Sequence, residues 1–303
     1  MNTLLAKSTF HEIELPQGRI RYFDQGTGPT LVFLHGLLAS SQLWSSVASH
    51  LSSHFRCLAP DLPLGAHSLP LNPDADLTPP GVARLVADFL NALDLHEVTL
   101  IGNDTGGAIC QLVIAQYPER ITRLVLTNCD AFEQFFPPLV SPFHYGAQFL
   151  GIQFANLLAW LVRTRFAQRR FMTVLAHRRL SLAELDTFFH PLLHLPFVRR
   201  DITRFLRAVS RQFTLEAART FSRFTRPVLL IWGKDDPFFP MRLARRLQQA
   251  FPDARLIQLA HSRAFIPLDQ PEKLAQHIAE FVPALPSTSK QALSSEQSML
   301  YEL

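Results

Sequence analysis

The sequence predicts an α/β protein: a mostly parallel, doubly wound sheet of eight strands with a helical lid inserted after the sixth strand. Short apolar runs alternate with stretches of helical periodicity along most of the chain. The alternation stops between residues 133 and 222, where the sequence is helical and rich in aromatic residues, and it resumes afterwards. With 303 residues, 48% hydrophobic and 18% charged, the chain can form one large core.

The eight strands are predicted from apolar runs that end at turn residues. The first two flank Gln17 and Gly18 and form a hairpin. The third is apolar throughout and ends at His35 and Gly36, a pattern typical of a buried parallel strand. In chain order, the predicted strands cover residues 11–15, 19–24, 30–34, 55–59, 98–101, 124–127, 228–232 and 255–259.

Outside the lid, five helices are predicted between these strands or after the last one. The second has the clearest beginning, because Thr78 is a good N-cap and Pro79 and Pro80 suit a first helical turn. The five helices cover residues 43–51, 81–93, 108–117, 241–251 and 271–281.

This pattern divides the chain into a core domain, residues 1–132 and 223–282, and a lid, residues 133–222. A block inserted at one connection of such a sheet is expected over the carboxyl ends of the strands, where open α/β sheets bind their ligands. Residues 283–303 are rich in Ser, Gln and Pro and are predicted to be a disordered tail.

Composition and charge exclude several classes of protein. A net charge of +4 is too small for the electrostatic footprint of a nucleic-acid binder. Cys57, Cys110 and Cys129 lack the spacing of a disulfide framework or a metal site, which predicts a reducing, cytoplasmic location and no metal. No apolar run is long enough for a membrane span or a signal peptide. We expect a monomer or homodimer without a nucleic-acid partner.

One motif carries the chemistry: residues 102–107 read Gly-Asn-Asp-Thr-Gly-Gly between a predicted strand and a predicted helix. Such a turn is typical of a nucleophile elbow, in which glycines let the backbone crowd together and one side chain rises above the sheet. Here that side chain is Asp104. The alternative is that Asp104 only caps the helix that begins at Thr105.

Two further residues complete a catalytic set in the chain order nucleophile, acid, histidine. Asp236 follows the seventh predicted strand, and His261 follows the eighth. The acid has alternatives, because Asp235 is adjacent and two acidic residues, Asp130 and Glu133, follow the sixth strand.

A backbone donor pair is predicted at the same edge of the sheet. The N–H groups of Leu37 and Thr105 are expected to form an oxyanion hole. We expect His35, just before this turn, mainly to hold loop backbone together.

In these motifs the chain resembles the α/β-hydrolase superfamily over residues 35–127 and 232–272. An Asp at the elbow is similar to haloalkane dehalogenases, epoxide hydrolases and fluoroacetate dehalogenases. The sequence departs from each pattern. Thr105 stands where haloalkane dehalogenases usually have Trp and fluoroacetate dehalogenases have Arg. Leu38 replaces the Pro of the epoxide hydrolase turn, and Tyr145 is the only Tyr of the lid.

The resemblance implies a cofactor-independent reaction. Asp104 would attack an sp³ carbon to form an alkyl ester, and His261, oriented by Asp236, would activate the water that hydrolyses it. A haloalkane dehalogenase-like activity is the leading hypothesis. Epoxide hydrolysis, β-lactone decarboxylation or esterase-like activity, and a catalytically weak ligand-binding or signalling role are the alternatives.

The Phe-rich sequence of the predicted lid indicates a small apolar substrate. It also has 12 Arg, no Lys and 5 acidic residues, a net charge of +7. Clusters such as Arg169 and Arg170 are either solvated helix faces or a surface for an anionic substrate, partner or lipid headgroup. The expected pocket residues are His35, Phe135, Phe136, Tyr145, Trp160 and Phe265, with Phe149, Phe154, Leu157 and Leu161 facing the pocket or packing the lid onto the sheet.

Overall fold

The computed structural model describes residues 10–283, so most of the predicted tail lies outside the described residues. Its strands are β1 (Phe10–Leu15), β2 (Gly18–Gln25), β3 (Thr30–Leu34), β4 (Arg56–Pro60), β5 (Val98–Asp104), β6 (Ile121–Cys129), β7 (Val228–Gly233) and β8 (Ala254–Leu259). They form one sheet in the order β1-β2-β4-β3-β5-β6-β7-β8. β2 is antiparallel to β1 and β4, and the remaining neighbours are parallel. The predicted mostly parallel, eight-stranded sheet is confirmed.

The helices of the described residues alternate with the strands as predicted. They are α1 (Ser45–Leu51), α2 (Pro79–Ala92), α3 (Thr105–Gln116), α4 (Ser141–Leu150), α5 (Ile152–Leu161), α6 (Arg165–Leu175), α7 (Leu182–His194), α8 (Pro196–Ala208), α9 (Arg211–Ala218), α10 (Met241–Ala250), α11 (Ile266–Asp269) and α12 (Pro271–Phe281). The hydroxyl of Thr78 accepts a hydrogen bond from the N–H of Gly81, so the predicted cap of α2 is present.

The centre of the sheet is buried. β5 and β7 are buried along almost their whole length, as is typical of parallel strands inside a protein. α3 packs on β5 and β6, and α10 packs on β7 and β8. The carboxyl ends of the central strands are therefore held firmly, and the residues that follow them start from fixed positions.

Six helices, α4 to α9, lie between β6 and β7 within the segment predicted as a lid, and we call them the lid. The first begins at Ser141, and residues 130–140 connect it to the sheet. α4, α5 and α7 pack against α8, whereas α9 packs against α3. None of the helices within residues 10–283 combines the length and apolar character needed to cross a membrane.

A buried carboxylate fastens α8 to the core. Asp201 accepts a hydrogen bond of 2.7 Å from Arg200 Nε, and its other oxygen lies 3.4 Å from both His67 Nε2 and the N–H of Leu71. Although burial opposes this effect, His67 and Arg200 hold the pKa of Asp201 below its ordinary value. Arg200 also donates to the carbonyl of Leu71 at 2.8 Å. The centre of the lid is thus tied to the loop between β4 and α2.

Candidate active site

Asp104 stands at a strained turn between β5 and α3. Its φ is 56° and its ψ is −131°, a backbone conformation that is costly for a residue other than Gly. The turn is tight, since a Cβ on Gly106 would lie 2.3 Å from the carbonyl oxygen of Leu34, and one on Gly107 would lie 2.3 Å from the Cβ of Cys129. The elbow predicted from residues 102–107 is present, and it presents the Asp104 side chain at the carboxyl edge of the sheet.

Two backbone N–H groups hold the Asp104 carboxylate. Oδ1 accepts hydrogen bonds from Leu37 N at 3.0 Å and from Thr105 N at 2.6 Å. Leu37 reaches it because Gly36 has no side chain: a Cβ there would lie 2.3 Å from Asp104 Oδ1. Burial raises the pKa of Asp104, and the two N–H groups oppose that rise. A carboxylate oxygen thus occupies the donor pair predicted as an oxyanion hole.

Above Asp104 lies an apolar cavity of about 290 Å³. Three polar side chains, Asp104, Thr105 and Asp130, line its floor, and the rest of its wall is aliphatic or aromatic. A cavity of this size and character suits a small apolar molecule. The apolar lining consists of Leu37, Leu38, Phe136, Pro137, Leu139, Val140, Phe143, Phe171, Val174, Leu175, Phe238 and Phe239.

Asp130 is an unusual neighbour for Asp104. It follows β6, its side chain is 1% exposed, and neither of its carboxyl oxygens has a hydrogen-bond partner in the described part of the chain. Burial, and then the charge of Asp104, raise the pKa of Asp130 well above its ordinary value. Burial therefore favours the protonated form of the Asp130 carboxyl group, in which its O–H is a hydrogen-bond donor.

Thr105 lines the cavity together with Asp104 and Asp130. Burial raises the pKa of both carboxyl groups, and the hydroxyl of Thr105 opposes that rise. It nevertheless completes no hydrogen bond of ordinary geometry within residues 10–283. The floor of the cavity thus presents the Thr105 hydroxyl and the Asp130 carboxyl group, both without hydrogen-bond partners in the described residues, beside the Asp104 carboxylate. Buried donors without partners mark a place where a ligand atom can accept hydrogen bonds.

Asp236, predicted as the acid, follows β7 and is half-buried. It accepts hydrogen bonds from the N–H of Phe238 at 2.7 Å and from the side chain of Asn128. Burial raises its pKa to about 7, although these hydrogen bonds act in the opposite direction. Asn128 also accepts from the N–H of Gly233 at 2.6 Å, so it links β6 to β7. Asp236 thereby fixes the turn that carries Phe238 into the cavity wall.

His261, predicted as the general base, does not reach the nucleophile. Its side chain is exposed, it does not line the cavity, and across residues 10–283 its ring forms no hydrogen bond with Asp104 or Asp236. The loop after β8 is fixed by other residues: Ser262 and Ala264 are buried, and the carbonyl of Ala264 accepts from Asn103 Nδ2 at 2.8 Å. The structure therefore does not bring His261 together with Asp104 and Asp236, since this loop turns His261 towards solvent, and the Asp104–His261–Asp236 triad stays a prediction.

The other candidates for the acid are engaged at the surface. Asp235 Oδ2 lies 3.0 Å from His177 Nε2 on the lid. Glu133 forms an ion pair with Arg246. Of the alternatives to Asp236, only Asp130 lines the cavity with Asp104.

His35 is fully buried and holds loop backbone together, as expected. Its Nδ1 lies 2.9 Å from the carbonyl oxygen of Gly36, and its Nε2 accepts a hydrogen bond of 2.8 Å from the N–H of Leu62. Burial lowers the pKa of His35 to about 4, so the ring is neutral. The expectation that His35 also lines the substrate pocket is wrong.

Of the predicted pocket residues, Phe136 lines the cavity. Phe135 and Tyr145 line a separate groove, Trp160 is exposed, and Phe265 packs on Phe188. Most of the residues that line the cavity could not be identified from the sequence pattern. Phe238 and Phe239 could have been found, since they directly follow a residue at the carboxyl edge. The lid residues carried no such signal, because helical periodicity does not say which face meets the cavity.

Comparison with known proteins places the chain in one family. A family model for the alpha/beta hydrolase fold matches residues 29–271. Haloalkane dehalogenase 2 of Mycobacterium tuberculosis is 29% identical over 277 residues, which cover 87% of this chain and 91% of the relative. A haloalkane dehalogenase of Mesorhizobium japonicum is 25% identical over 288 residues, with 90% of each chain covered. The crystal structure of haloalkane dehalogenase DbeA from Bradyrhizobium elkani superimposes with a TM-score of 0.75 at 19% identity, covering 90% of this chain and 97% of that one.

Proposed function

The chain is a hydrolase that belongs to the α/β hydrolase family, in its haloalkane dehalogenase-like branch, and from this premise we propose that Asp104 displaces a leaving group from an sp³ carbon of a small apolar molecule. The observation that carries the proposal is a carboxylate held by two N–H groups beneath an apolar cavity. Attack on an sp³ carbon yields an alkyl ester. Attack on an ester carbonyl would yield a mixed anhydride and expel an alkoxide, which is energetically uphill.

The first step needs an ionised nucleophile, and the neighbouring acid supports that state. Asp104 and Asp130 share one buried site, where two negative charges would repel each other. The two N–H groups stabilise charge on Asp104, whereas Asp130 has no such donors. The proton therefore belongs on Asp130.

In this proposal the O–H groups of Thr105 and Asp130 donate hydrogen bonds to the leaving group. With a haloalkane, Asp104 forms the carbon–oxygen bond, the carbon–halogen bond breaks, and the halide leaves with the bonding electrons. Hydrogen bonds from the two donors stabilise the developing negative charge. Support for a halide comes from the relatives named haloalkane dehalogenase.

Hydrolysis of the ester is the slow half of this haloalkane reaction. A water must lose a proton as it attacks the ester carbonyl, and no His side chain lines the cavity within residues 10–283. Asp130 remains protonated and cannot accept that proton. The halide should therefore appear in a burst of one equivalent, followed by slow turnover.

The protonated Asp130 favours epoxide hydrolysis as a second candidate. Asp104 opens the ring while Asp130 transfers its proton to the epoxide oxygen, which leaves a hydroxyalkyl ester and an ionised Asp130. That carboxylate then removes a proton from the attacking water, and the N–H groups of Leu37 and Thr105 stabilise the tetrahedral oxyanion. Collapse of the intermediate releases a diol and restores ionised Asp104 and protonated Asp130, so the protons balance.

The test exposes the full chain to bromohexane and, separately, to an epoxyhexane. Intact-protein mass spectrometry, bromide release and diol formation are followed together, with Asp104→Asn as the isosteric control. We expect bromohexane to add one hexyl group to the Asp104 peptide of the wild type and to leave Asp104→Asn unmodified. A folded wild type that gives neither adduct nor product with either compound would contradict the proposal.

Asp130→Asn separates the two candidates, because the amide still donates a hydrogen bond but cannot transfer a proton. We expect the bromide burst to persist and epoxide opening to fall by about a hundredfold. Equal losses with both compounds would contradict the acid–base role of Asp130.

A further inference from the structure

The lid carries nearly all of the exposed apolar surface of the described residues. Of the twelve large apolar side chains that are exposed there, eleven lie between Leu139 and Leu182. The densest set belongs to the α4–α5 hairpin, two helices joined at Gly151 that pack with one side against α8. Its exposed side chains include Phe149, Leu150, Ile152, Leu157, Trp160 and Leu161, and Phe149 is 83% exposed.

This surface lacks formal charge over a long stretch. Between Glu133 and Arg163 the 29 residues contain no Asp, Glu, Lys or Arg. Six arginines then follow between residues 163 and 179, and no acidic residue interrupts them. Exposed apolar patches of this kind are rare on proteins that meet only water. The lid therefore joins an uncharged apolar surface to a strongly basic one.

The basic part forms a groove of about 460 Å³ along α6, which we call the arginine groove. All of its charged lining side chains are arginines, and Phe166, which is 76% exposed, lies among them. Arg178 is paired with Glu184, but Arg169, Arg170 and Arg179 form no ion pair within residues 10–283. The arginine groove is thus suited to an anionic group.

The apolar and basic parts are continuous. Arg163, at the beginning of the basic stretch, lies over the ring of Trp160 on α5, with 4.4 Å between its guanidinium carbon and the ring centroid. Trp160 is exposed, and its indole is apolar over most of its surface but has one N–H donor. Exposed aromatic and aliphatic side chains flanked by arginines match the boundary between the headgroups and acyl chains of an anionic bilayer.

We propose that the lid is a peripheral binding surface for anionic phospholipid membranes. The α4–α5 hairpin enters the headgroup–acyl boundary with its apolar side, and the arginine groove binds lipid phosphate. Membrane attachment itself does not depend on the proposed chemistry of Asp104. It does place the cavity wall near the lipid, since α4 supplies Phe143 and α6 supplies Phe171 and Val174 to that wall.

The tryptophans provide a selective readout. The chain has three, of which Trp44 and Trp232 are fully buried, whereas Trp160 is 57% exposed. Changes in emission on membrane binding therefore report mainly on Trp160. With the full chain, we expect vesicles of phosphatidylcholine and phosphatidylserine to shift the emission to the blue, and brominated acyl chains to quench it. Vesicles of phosphatidylcholine alone should have much less effect.

Two pairs of variants test the two parts of the surface in vesicle sedimentation. Arg169→Gln combined with Arg170→Gln should weaken binding to anionic vesicles by about 25-fold, at about fivefold for each arginine. The matched control, Arg242→Gln combined with Arg245→Gln on α10, removes the same charge elsewhere and should bind like the wild type. Phe149→Ser should weaken binding by about tenfold, whereas Leu182→Ser, an exposed apolar position on α7, should not.

Three outcomes would overturn the proposal. The first is an unchanged Trp160 emission with anionic vesicles. The second is equal binding to neutral and anionic vesicles. The third is a concentration-dependent dimer, seen by light scattering without lipid and abolished by Phe149→Ser, because a second copy of the chain would then cover the apolar surface.

Discussion

The turn after β5 and the loop after β8 lie at the same edge of the sheet, yet they are built differently. The first holds Asp104 in a strained conformation and satisfies its carboxylate with two N–H groups. The second also contains a residue with positive φ, His261, but turns that side chain to solvent and packs Ala264 inward. The turn after β5 thus presents the proposed nucleophile to the cavity, whereas the loop after β8 does not bring His261 to it. Two turns at one edge of a sheet can therefore share a strained backbone and still direct their side chains to opposite environments.

The largest expected effect is on the turn after β5. Asp104→Asn keeps the size and one acceptor of the side chain but removes the nucleophile, so alkylation by bromohexane should fall by at least about a thousandfold. The rate of adduct formation by mass spectrometry measures it. Asp235→Asn, an exposed neighbour of Asp236, serves as the control and should react normally. Comparable adduct on Asp104→Asn would place the chemistry elsewhere.

A second prediction concerns stability and pH. Asp130 and Asp236 bind protons more tightly in the folded state, so the free energy of unfolding should fall as pH rises above about 4, by up to about 1.4 kcal/mol per pH unit for each group. The contribution of Asp236 ends near its pKa of about 7, and the pKa of Asp130 is raised in the same direction. In urea unfolding from pH 4 to 9, the free energy of unfolding of Asp130→Asn should therefore fall less with rising pH than that of the wild type.

Asp236→Asn provides the comparison. In this variant the free energy of unfolding should depend less on pH below pH 7, and its dependence above pH 7 should be unchanged. If Asp130→Asn reproduced the wild-type curve at every pH, Asp130 would not be protonated at neutral pH, and its role as a donor would fail with it.

Thr105→Val should have a smaller effect, because it removes one of two leaving-group donors and keeps the shape of the side chain. The rate of bromide release should fall by about tenfold, as expected for one lost hydrogen bond to a developing charge. Stopped-flow detection of bromide measures it. Val also retains the N–H that binds Asp104, so an effect of a thousandfold would indicate a disturbed elbow instead.

The smallest effect is predicted for the loop after β8. His261→Gln should change both the burst and the later turnover by less than about twofold, since the ring contacts neither carboxylate. This variant tests the difference between the turn after β5 and the loop after β8 most directly. If turnover stopped while the burst remained, His261 would move into the site during the reaction, and the two turns would be partners after all.

The fold and the tight turn at Asp104 could be predicted because both depend on local pattern. Apolar runs specify buried strands, and the glycines around Asp104 leave one backbone path. The orientation of His261 could not be predicted, because chain order places a residue in a loop without saying which side chains of that loop point inward. Trp160 was misplaced for a related reason. A helix that is apolar on several sides does not reveal which side meets the protein.

The Asp201 contacts that fasten α8 to the core have a consequence for how the protein can change over evolution or by design. If the whole lid moved away from the core, Asp201 would lose its contact with His67 and would either stay buried without that partner or become exposed to water. Because a buried carboxylate without its partner is costly, we expect the lid not to separate as one body. The lid residues of the cavity wall come from α4, the segment before it, and α6. Substitutions there can alter which molecules fit the cavity, while the contacts of α8 keep the lid in place. A library confined to these segments is the economical way to search for new substrates.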